Sequence, residues 1–189
     1  AGRVAQDETI RAGTTVEKLA GLKAVFETEE LSARFPQIQW NTTAGNASQM
    51  TDGAAAMLIM SEERALQLGL TPRARFVAFD VVGDDPLYML TAPIPATQRV
   101  LAKAKRKLDD IQHYEINEAF ASVPLAWQKE LKADGERLNP RGGAIALGHP
   151  LGASGLRLMT TMLHALEDSG QRYGLQSMCE AGGLANATI

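Results

Sequence analysis

Residues 142–155, Gly-Gly-Ala-Ile-Ala-Leu-Gly-His-Pro-Leu-Gly-Ala-Ser-Gly, contain five glycines in 14 positions and lead into an apolar, helix-forming segment. So many glycines imply several left-handed turns or close backbone approaches. The Gly143–Gly148 spacing matches a phosphate-binding loop, but His149 and Pro150 stand where that loop needs Lys and then Ser or Thr. The spacing after Gly148 also departs from a dinucleotide-binding fingerprint. The stretch therefore predicts a rigid turn that holds one imidazole.

Two polar loops lie on either side of this turn in the sequence. Asn117-Glu118-Ala119-Phe120 comes directly after one predicted strand, and Cys179-Glu180-Ala181-Gly182-Gly183 follows another. Polar groups at the carboxyl ends of strands are well placed to line a crevice. Asn117 precedes His149 by 32 residues and Cys179 follows it by 30. Because each such interval returns a strand–helix chain to the same sheet edge, the three side chains are predicted to converge on one pocket.

Each of these three residues also has a structural interpretation. Asn117 could cap a helix, His149 could be a structural histidine, and Cys179 could be a buried, inert thiol. In the catalytic interpretation, the imidazole acts as a base or oxyanion donor near neutral pH, the amide holds a water, and the thiol is accessible as a thiolate. The spacing favours catalysis without excluding the structural interpretations.

The remaining sequence alternates between predicted strands and helices. Strands are predicted over residues 53–60, 75–82, 113–116, 174–178 and 186–189, and helices over residues 16–22, 61–69, 96–108, 118–131 and 156–167. Pro124 falls inside one of these helices and must lie in its first turns or at a kink. This order predicts an α/β fold in which a mixed sheet is covered by helices.

Composition and charge exclude several classes of protein. The 189 residues are 45% hydrophobic and 22% charged, which is ordinary globular composition and excludes a disordered chain. With 19 basic and 22 acidic residues there is no basic excess to attract nucleic acid or an anionic membrane. The single cysteine excludes an intrachain disulfide and a cysteine-based zinc cluster. We expect neither a membrane span nor a signal peptide, and therefore a cytoplasmic location.

The three loops strongly resemble three active-site loops of the thiolases, in order and in spacing. Residues 43–48, followed by residues 52–55, are similar to a further thiolase signature in the coenzyme A pocket. The resemblance covers essentially the whole chain. It implies two related α/β halves, each with a mixed five-stranded sheet between helices, and a loop domain. Residues 1–35 would end the loop domain, residues 36–73 would complete the N-terminal half, and residues 74–189 would form most of the C-terminal half.

The resemblance also implies an activity and a role for each site residue. Thiolases exchange acyl groups between acetyl-coenzyme A and 3-ketoacyl-coenzyme A by a ping-pong mechanism, with coenzyme A thioesters as substrates and no cofactor or metal. His149 would activate the nucleophilic cysteine and donate to the thioester oxygen, and Asn117 would hold the water of that oxyanion hole. Cys179 would move a proton at the carbon next to the thioester carbonyl. The second oxyanion hole would use the backbone N–H of Ala181. The contacts with substrate and coenzyme A would come from Ala44, Ser48, Met89, Ala119 and Phe120.

This sequence departs from the thiolase pattern at two points. The nucleophilic cysteine of the family lies in the N-terminal half, and this chain has no cysteine other than Cys179. We therefore expect the chain alone to be inactive and to need the missing N-terminal half of the same enzyme. The resemblance further implies a homodimer or homotetramer. Ala181 stands where many thiolases have glycine; alanine keeps the N–H donor but resists a positive φ.

Two other functions are considered beside a thiolase of lipid and fatty acid metabolism. A ketoacyl-synthase-like condensing enzyme pairs its single cysteine with His/His or His/Asn, and the Cys179 loop argues against that pattern. A non-catalytic thiolase-like protein that binds coenzyme A or acyl groups would not need Asn117, His149 and Cys179.

The other candidate residues are given structural roles. His113 and His164 are interpreted as structural histidines, and Asp84-Asp85 as a turn, because no further ligand cluster accompanies the two aspartates. The segment over residues 28–39 is longer and more polar than expected for a short-chain thiolase, which points to a bulkier or branched acyl group.

Overall fold

The computed structural model describes residues 2–3 and 5–189, and the α/β fold predicted from the sequence is confirmed. In chain order the elements are α1 (Val16–Ala20), α2 (Glu29–Arg34), α3 (Glu62–Gln67), β1 (Phe79–Gly83), α4 (Pro93–Ala104), β2 (His113–Ile116), α5 (Ser122–Leu131), α6 (Ala144–Leu147), α7 (Ser154–Ser169), β3 (Gly174–Glu180) and β4 (Leu184–Thr188). None of the helices in this described part of the chain has the length and hydrophobicity needed to cross a bilayer.

The strands form one mixed sheet in the order β1-β4-β3-β2. Strands β2 and β3 run parallel, whereas β4 is antiparallel to both β3 and β1. The described residues thus form four strands where the resemblance implies five. The fifth position, beyond β2, is occupied by Leu138, which makes a single bridge to Tyr114. Pro140 follows two residues later and has no N–H to donate, so the ladder does not extend through it.

Helices cover the two faces of the sheet. On one face, Trp127 of α5 packs at a tilt against Tyr114 with ring centroids 5.2 Å apart, and its Nε1 donates to Oγ1 of Thr97 in α4 at 2.9 Å. These residues lie in or beside the main hydrophobic core, which also contains Ile116 and Leu175. Side chains alternate along a strand, so the other residues of β2, His113 and Glu115, face the opposite side, where α7 packs on β2 and β3.

The α7 face leaves no room for a side chain at the start of β3. A Cβ on Gly174 would lie 2.7 Å from Cγ of Met162 and 3.1 Å from Leu166. We expect Gly174→Ala to lower the free energy of unfolding by about 1–3 kcal/mol, because overpacking displaces α7. Chemical denaturation measures this. Gly155→Ala is the matched control, since its Cβ would make ordinary contacts at 3.7–3.9 Å to Met178 and Gln176. Equal stability of the two variants would contradict the overpacking argument.

One predicted strand is wrong. Residues 53–60 have no regular secondary structure, and Leu58 and Ile59 are 77% and 60% exposed. No other described segment runs alongside them to supply ladder hydrogen bonds, and an apolar run does not form a strand without a partner.

The predicted helix boundaries also shift. Helix α4, predicted over residues 96–108, begins at Pro93 rather than at Ala96, since proline suits a first turn. Helix α5 begins at Ser122 rather than at Glu118, which places Pro124 in its first turn.

Candidate active site

The loop after β2 holds Asn117 in a buried position. Its backbone N–H donates to the carbonyl oxygen of Ser177 in β3 at 3.0 Å, and the residue is only 2% exposed. Its side-chain Oδ1 is buried without a hydrogen-bond partner among the described residues. The interpretation of Asn117 as a helix cap is wrong, because α5 begins at Ser122 with Ala121 as the preceding cap residue. A buried amide oxygen with a free lone pair can accept a hydrogen bond from a bound water or ligand.

Two residues that sequence analysis gave no role connect this loop to the glycine-rich turn. The side chain of Asn139 pairs with both backbone groups of Ile116, and its Nδ2 also donates to Oε1 of Glu118, each at 2.9 Å. The second carboxylate oxygen of Glu118 accepts from the backbone N–H of Ile145 at 3.0 Å. Glu118 therefore fixes the turn that carries His149 relative to the loop that carries Asn117. The sequence signal for this role of Glu118 is the presence of an acidic residue inside the Asn117 motif.

Gly143 lies directly against the Glu118 carboxylate, where a Cβ would overlap it. We expect Gly143→Ala to push Glu118 off both of its partners and to lower the free energy of unfolding by about 1–3 kcal/mol. Gly152→Ala is the matched control in the same loop, because a Cβ there meets open space. Thermal unfolding of the two variants compares them. Equal unfolding temperatures would mean that Glu118 does not hold the turn.

The segment around Ser48 lies between these two loops. The backbone N–H of Ser48 donates to the carbonyl of Ala119 at 3.1 Å, and that of His149 donates to the carbonyl of Gln49 at 2.7 Å. Phe120 packs edge-on against Phe26, with ring centroids 5.7 Å apart. Three of the residues predicted to contact substrate or coenzyme A, Ser48, Ala119 and Phe120, are thus brought together beside His149. Ala44 lies exposed in the turn that precedes them.

His149 is half-buried, and its hydrogen bonds define its tautomer. Nδ1 lies 2.6 Å from Oγ of the buried Ser154, whose hydroxyl donates to the carbonyl of Pro150 at 3.0 Å. A hydroxyl has one proton, so Oγ accepts from Nδ1–H. This leaves Nε2 as the unprotonated nitrogen, and in the described part of the chain it has no hydrogen-bond partner. Burial lowers the pKa of His149, and the positive charge of Arg157 lowers it further. The imidazole is therefore a neutral base near pH 7.

Cys179 lies near the end of β3, opposite Ala185 in β4. It is half-buried, and burial raises the pKa of its thiol, so the protonated form is the resting form. The strand ends in a tight turn in which Gly182 and Gly183 have φ of +83° and +84°. Ala181 is not at a positive φ, so alanine causes no strain there. A Cβ on Gly183 would also lie 2.7 Å from the carbonyl oxygen of Asp84.

The loop that contains Met89 contacts this turn. The backbone N–H of Asp84 donates to the carbonyl of Gly183 at 2.7 Å, and Met89 itself has a φ of 59°, which is uncommon for a residue with a side chain. The backbone N–H of Leu87 donates to Oδ1 of Asp85 at 2.7 Å, as expected for a turn. Among residues 2–3 and 5–189, no group of three or more His, Cys, Asp or Glu side chains is placed to hold a metal ion.

The other two histidines lie apart from this site. His113 is buried, with Nε2 2.6 Å from Oε1 of the buried Glu115, whose pKa is raised by burial. His164 lies on the outer part of α7 near Arg73, which pairs with Glu167.

The family assignment follows from comparison with known proteins. A family model described as "Thiolase, C-terminal domain" matches residues 70–189. This chain belongs to the thiolase family. A second model, "Thiolase, N-terminal domain", matches residues 2–63. The division of this thiolase-family chain at residues 35 and 73 stays a prediction.

Named relatives and solved structures agree with this assignment. The chain is 52% identical to a steroid 3-ketoacyl-CoA thiolase of Mycobacterium tuberculosis over 176 residues, which cover 93% of this chain and 40% of that protein. A 3-ketoacyl-CoA thiolase of Marinobacter nauticus is 44% identical over 98% of this chain and 46% of its own length. The fold matches the crystal structure of a Bacillus anthracis acetyl-CoA acetyltransferase with a TM-score of 0.87 and 42% identity, covering 97% of this chain and 44% of that one.

A human mitochondrial 3-ketoacyl-CoA thiolase in complex with CoA gives the same TM-score of 0.87, with 41% identity over 96% of this thiolase-family chain and 44% of the human chain. The chain therefore spans about half the length, or slightly less, of the relatives that it matches.

Proposed function

We propose that this chain supplies part of the active site of an acyltransferase that exchanges acyl groups between acetyl-CoA and 3-ketoacyl-CoA. The observation that carries the proposal is the arrangement of His149, whose Nδ1 is fixed by Ser154 so that Nε2 is free to accept a proton. The names of the relatives, and the CoA bound to the human thiolase, support this choice of substrates.

In the proposed reaction, Nε2 of His149 takes the proton of a nucleophilic cysteine. The thiolate attacks the acyl-CoA carbonyl, and the CoA thiolate leaves with the proton that His149 returns. Asn117 holds a water that donates to the thioester oxygen, so its buried Oδ1 serves to orient that water. Cys179 moves the proton at the carbon next to the thioester carbonyl, and the N–H of Ala181 supports the resulting negative charge.

Since Cys179 is the single cysteine, the nucleophile must come from outside this chain. We infer that the chain does not turn over substrate by itself and works with an N-terminal thiolase half, in a homodimer or homotetramer in the cytoplasm. The family similarity supports this partner, and no step of the proposed reaction needs a cofactor or metal.

We also propose a bulky or branched 3-ketoacyl-CoA as the preferred substrate. The support is the 52% identity to a steroid 3-ketoacyl-CoA thiolase and the polar segment over residues 28–39, which contains α2 and follows the Phe26–Phe120 contact.

The test is an assay of the chain combined with an N-terminal thiolase segment. We expect thiolysis of a bulky 3-ketoacyl-CoA and an acyl-cysteine detected by mass spectrometry, with neither product from the chain alone. Binding of CoA without acyl transfer would support the non-catalytic alternative instead. A preference for acetoacetyl-CoA would contradict the bulky substrate but not the acyl transfer.

A further inference from the structure

The guanidinium group of Arg157 is buried without a partner behind the candidate site. All three of its nitrogens are buried, and none has a hydrogen-bond partner among the described residues. Arginine cannot lose its charge in a protein, so the group remains a cation. A buried, unpaired charge is costly, and such groups cluster at functional sites.

The position of Arg157 connects it to His149. It lies three residues after Ser154 on α7, so the two side chains share one face of the helix. Ser154 is the residue that accepts from Nδ1 of His149. The surface on which α7 packs is the β2–β3 face, where Oε2 of Glu115 and Oε1 of Gln176 are also buried without partners.

The carboxylate on this face is Glu115, whose pKa is raised by burial and lowered to a smaller extent by the charge of Arg157. Glu115 is fully buried, and its Oε1 contacts Nε2 of His113 at 2.6 Å. No hydrogen bond joins Arg157 to Glu115 within the described residues, so the guanidinium charge is not neutralised by a direct pair.

The elements that pack near His149 and α7 carry other ionisable groups. They are Glu118 on the loop after β2, Asp52 beside Pro150, His113 and Glu115 on β2, and Cys179 on β3. Burial lowers the pKa of His149, and the positive charge of Arg157 lowers it further.

We propose that Arg157 is a positioning residue for His149: its fixed positive charge, held on α7 behind Ser154, keeps the imidazole unprotonated so that Nε2 can accept the proton of the nucleophilic thiol. The proposal rests on the acyl-transfer function above. The same charge disfavours the imidazolium formed in that step, which helps His149 return the proton to the departing CoA thiolate. A base whose pKa lies near the working pH is suited both to accepting the thiol proton and to returning it.

The test is an NMR titration of the chain labelled with ¹⁵N-histidine, in which only three imidazoles need assignment. We expect the pKa of His149 to rise in Arg157→Met and Arg157→Gln and to stay at its wild-type value in Arg157→Lys, which retains the charge. His164, exposed on the outer part of the same helix, should titrate identically in all four proteins. Two neutral variants are used so that a folding defect in one does not prevent the measurement.

Two results would overturn the proposal: an unchanged pKa of His149 in the neutral variants, or a shift in Arg157→Lys as large as in Arg157→Met. The second result would show that packing, rather than charge, matters at this position. Acyl transfer is measured separately in the protein combined with an N-terminal thiolase segment, where the acid limb of kcat/KM should move to higher pH in the neutral variants. If the pKa of His149 shifts but no acyl transfer is detected, the proposed function is refuted and the charge effect of Arg157 stands.

Discussion

Replacing His149 with alanine should reduce both thiolysis and condensation by about 10⁴-fold or more in a protein that combines this chain with an N-terminal thiolase segment. General-base catalysis contributes about 10²–10⁴-fold, and one oxyanion-hole donor about 10²–10³-fold. His149→Ala removes both contributions, because in the proposed mechanism the same Nε2 that accepts the thiol proton then donates to the thioester oxygen.

His164→Ala is the matched control, since this imidazole lies on the outer part of α7 and has no contact with the site. Rates of CoA-dependent cleavage and of acyl-cysteine formation, measured at saturating substrate, compare the two variants. If His149→Ala retained more than about a tenth of the wild-type rate, general-base catalysis by this residue would be refuted.

The sequence predicted those parts of the fold whose signals are local. The four residues His113–Ile116 form β2 as predicted, and the polar Asn117 loop follows directly. Helix α7 ends at Gly170 in a left-handed conformation, as its glycine indicated. Helix α2 was missed although Thr28 caps it and Glu29 and Glu30 fill its first turn, which is a readable signal.

The other differences arise from contacts between distant segments. The run at residues 53–60 has strand-like composition, but composition does not supply a neighbouring strand. The link between Asn139 and Glu118 joins residues 21 positions apart and depends on their orientation in the fold. The burial of the Arg157 guanidinium group contradicts the usual exposure of charged groups, so no sequence pattern would predict it.

The motif spacing predicts that Asn117, His149 and Cys179 lie at one sheet edge, and their assignment as site residues stays a prediction. The structure links these loops through Ser177, Gln49 and Glu118. The catalytic roles themselves stay predictions, because hydrogen bonds show which groups are held in place and not which proton moves.

Replacing Cys179 with serine should separate the two halves of the proposed reaction. Exchange of the acetyl α-protons with solvent should fall by about 10²-fold or more, the usual contribution of an acid–base group. A serine hydroxyl is far less acidic than a thiol, so it cannot supply the anion that removes the proton. Acylation of the nucleophilic cysteine should persist, because His149 and Ser154 are unchanged and the new side chain has nearly the same size.

The measurement is deuterium uptake into acetyl-CoA by NMR, with acyl-cysteine formation followed by mass spectrometry in the same sample. Met178→Leu is the matched control, because Met178 precedes Cys179 in β3 and points to the opposite face of the sheet. Wild-type exchange in Cys179→Ser would show that another group moves the α-proton. If acylation and proton exchange were both lost, Cys179 would instead act in the first half of the reaction. Its protonated thiol, favoured by burial, would then be needed for acylation of the nucleophile.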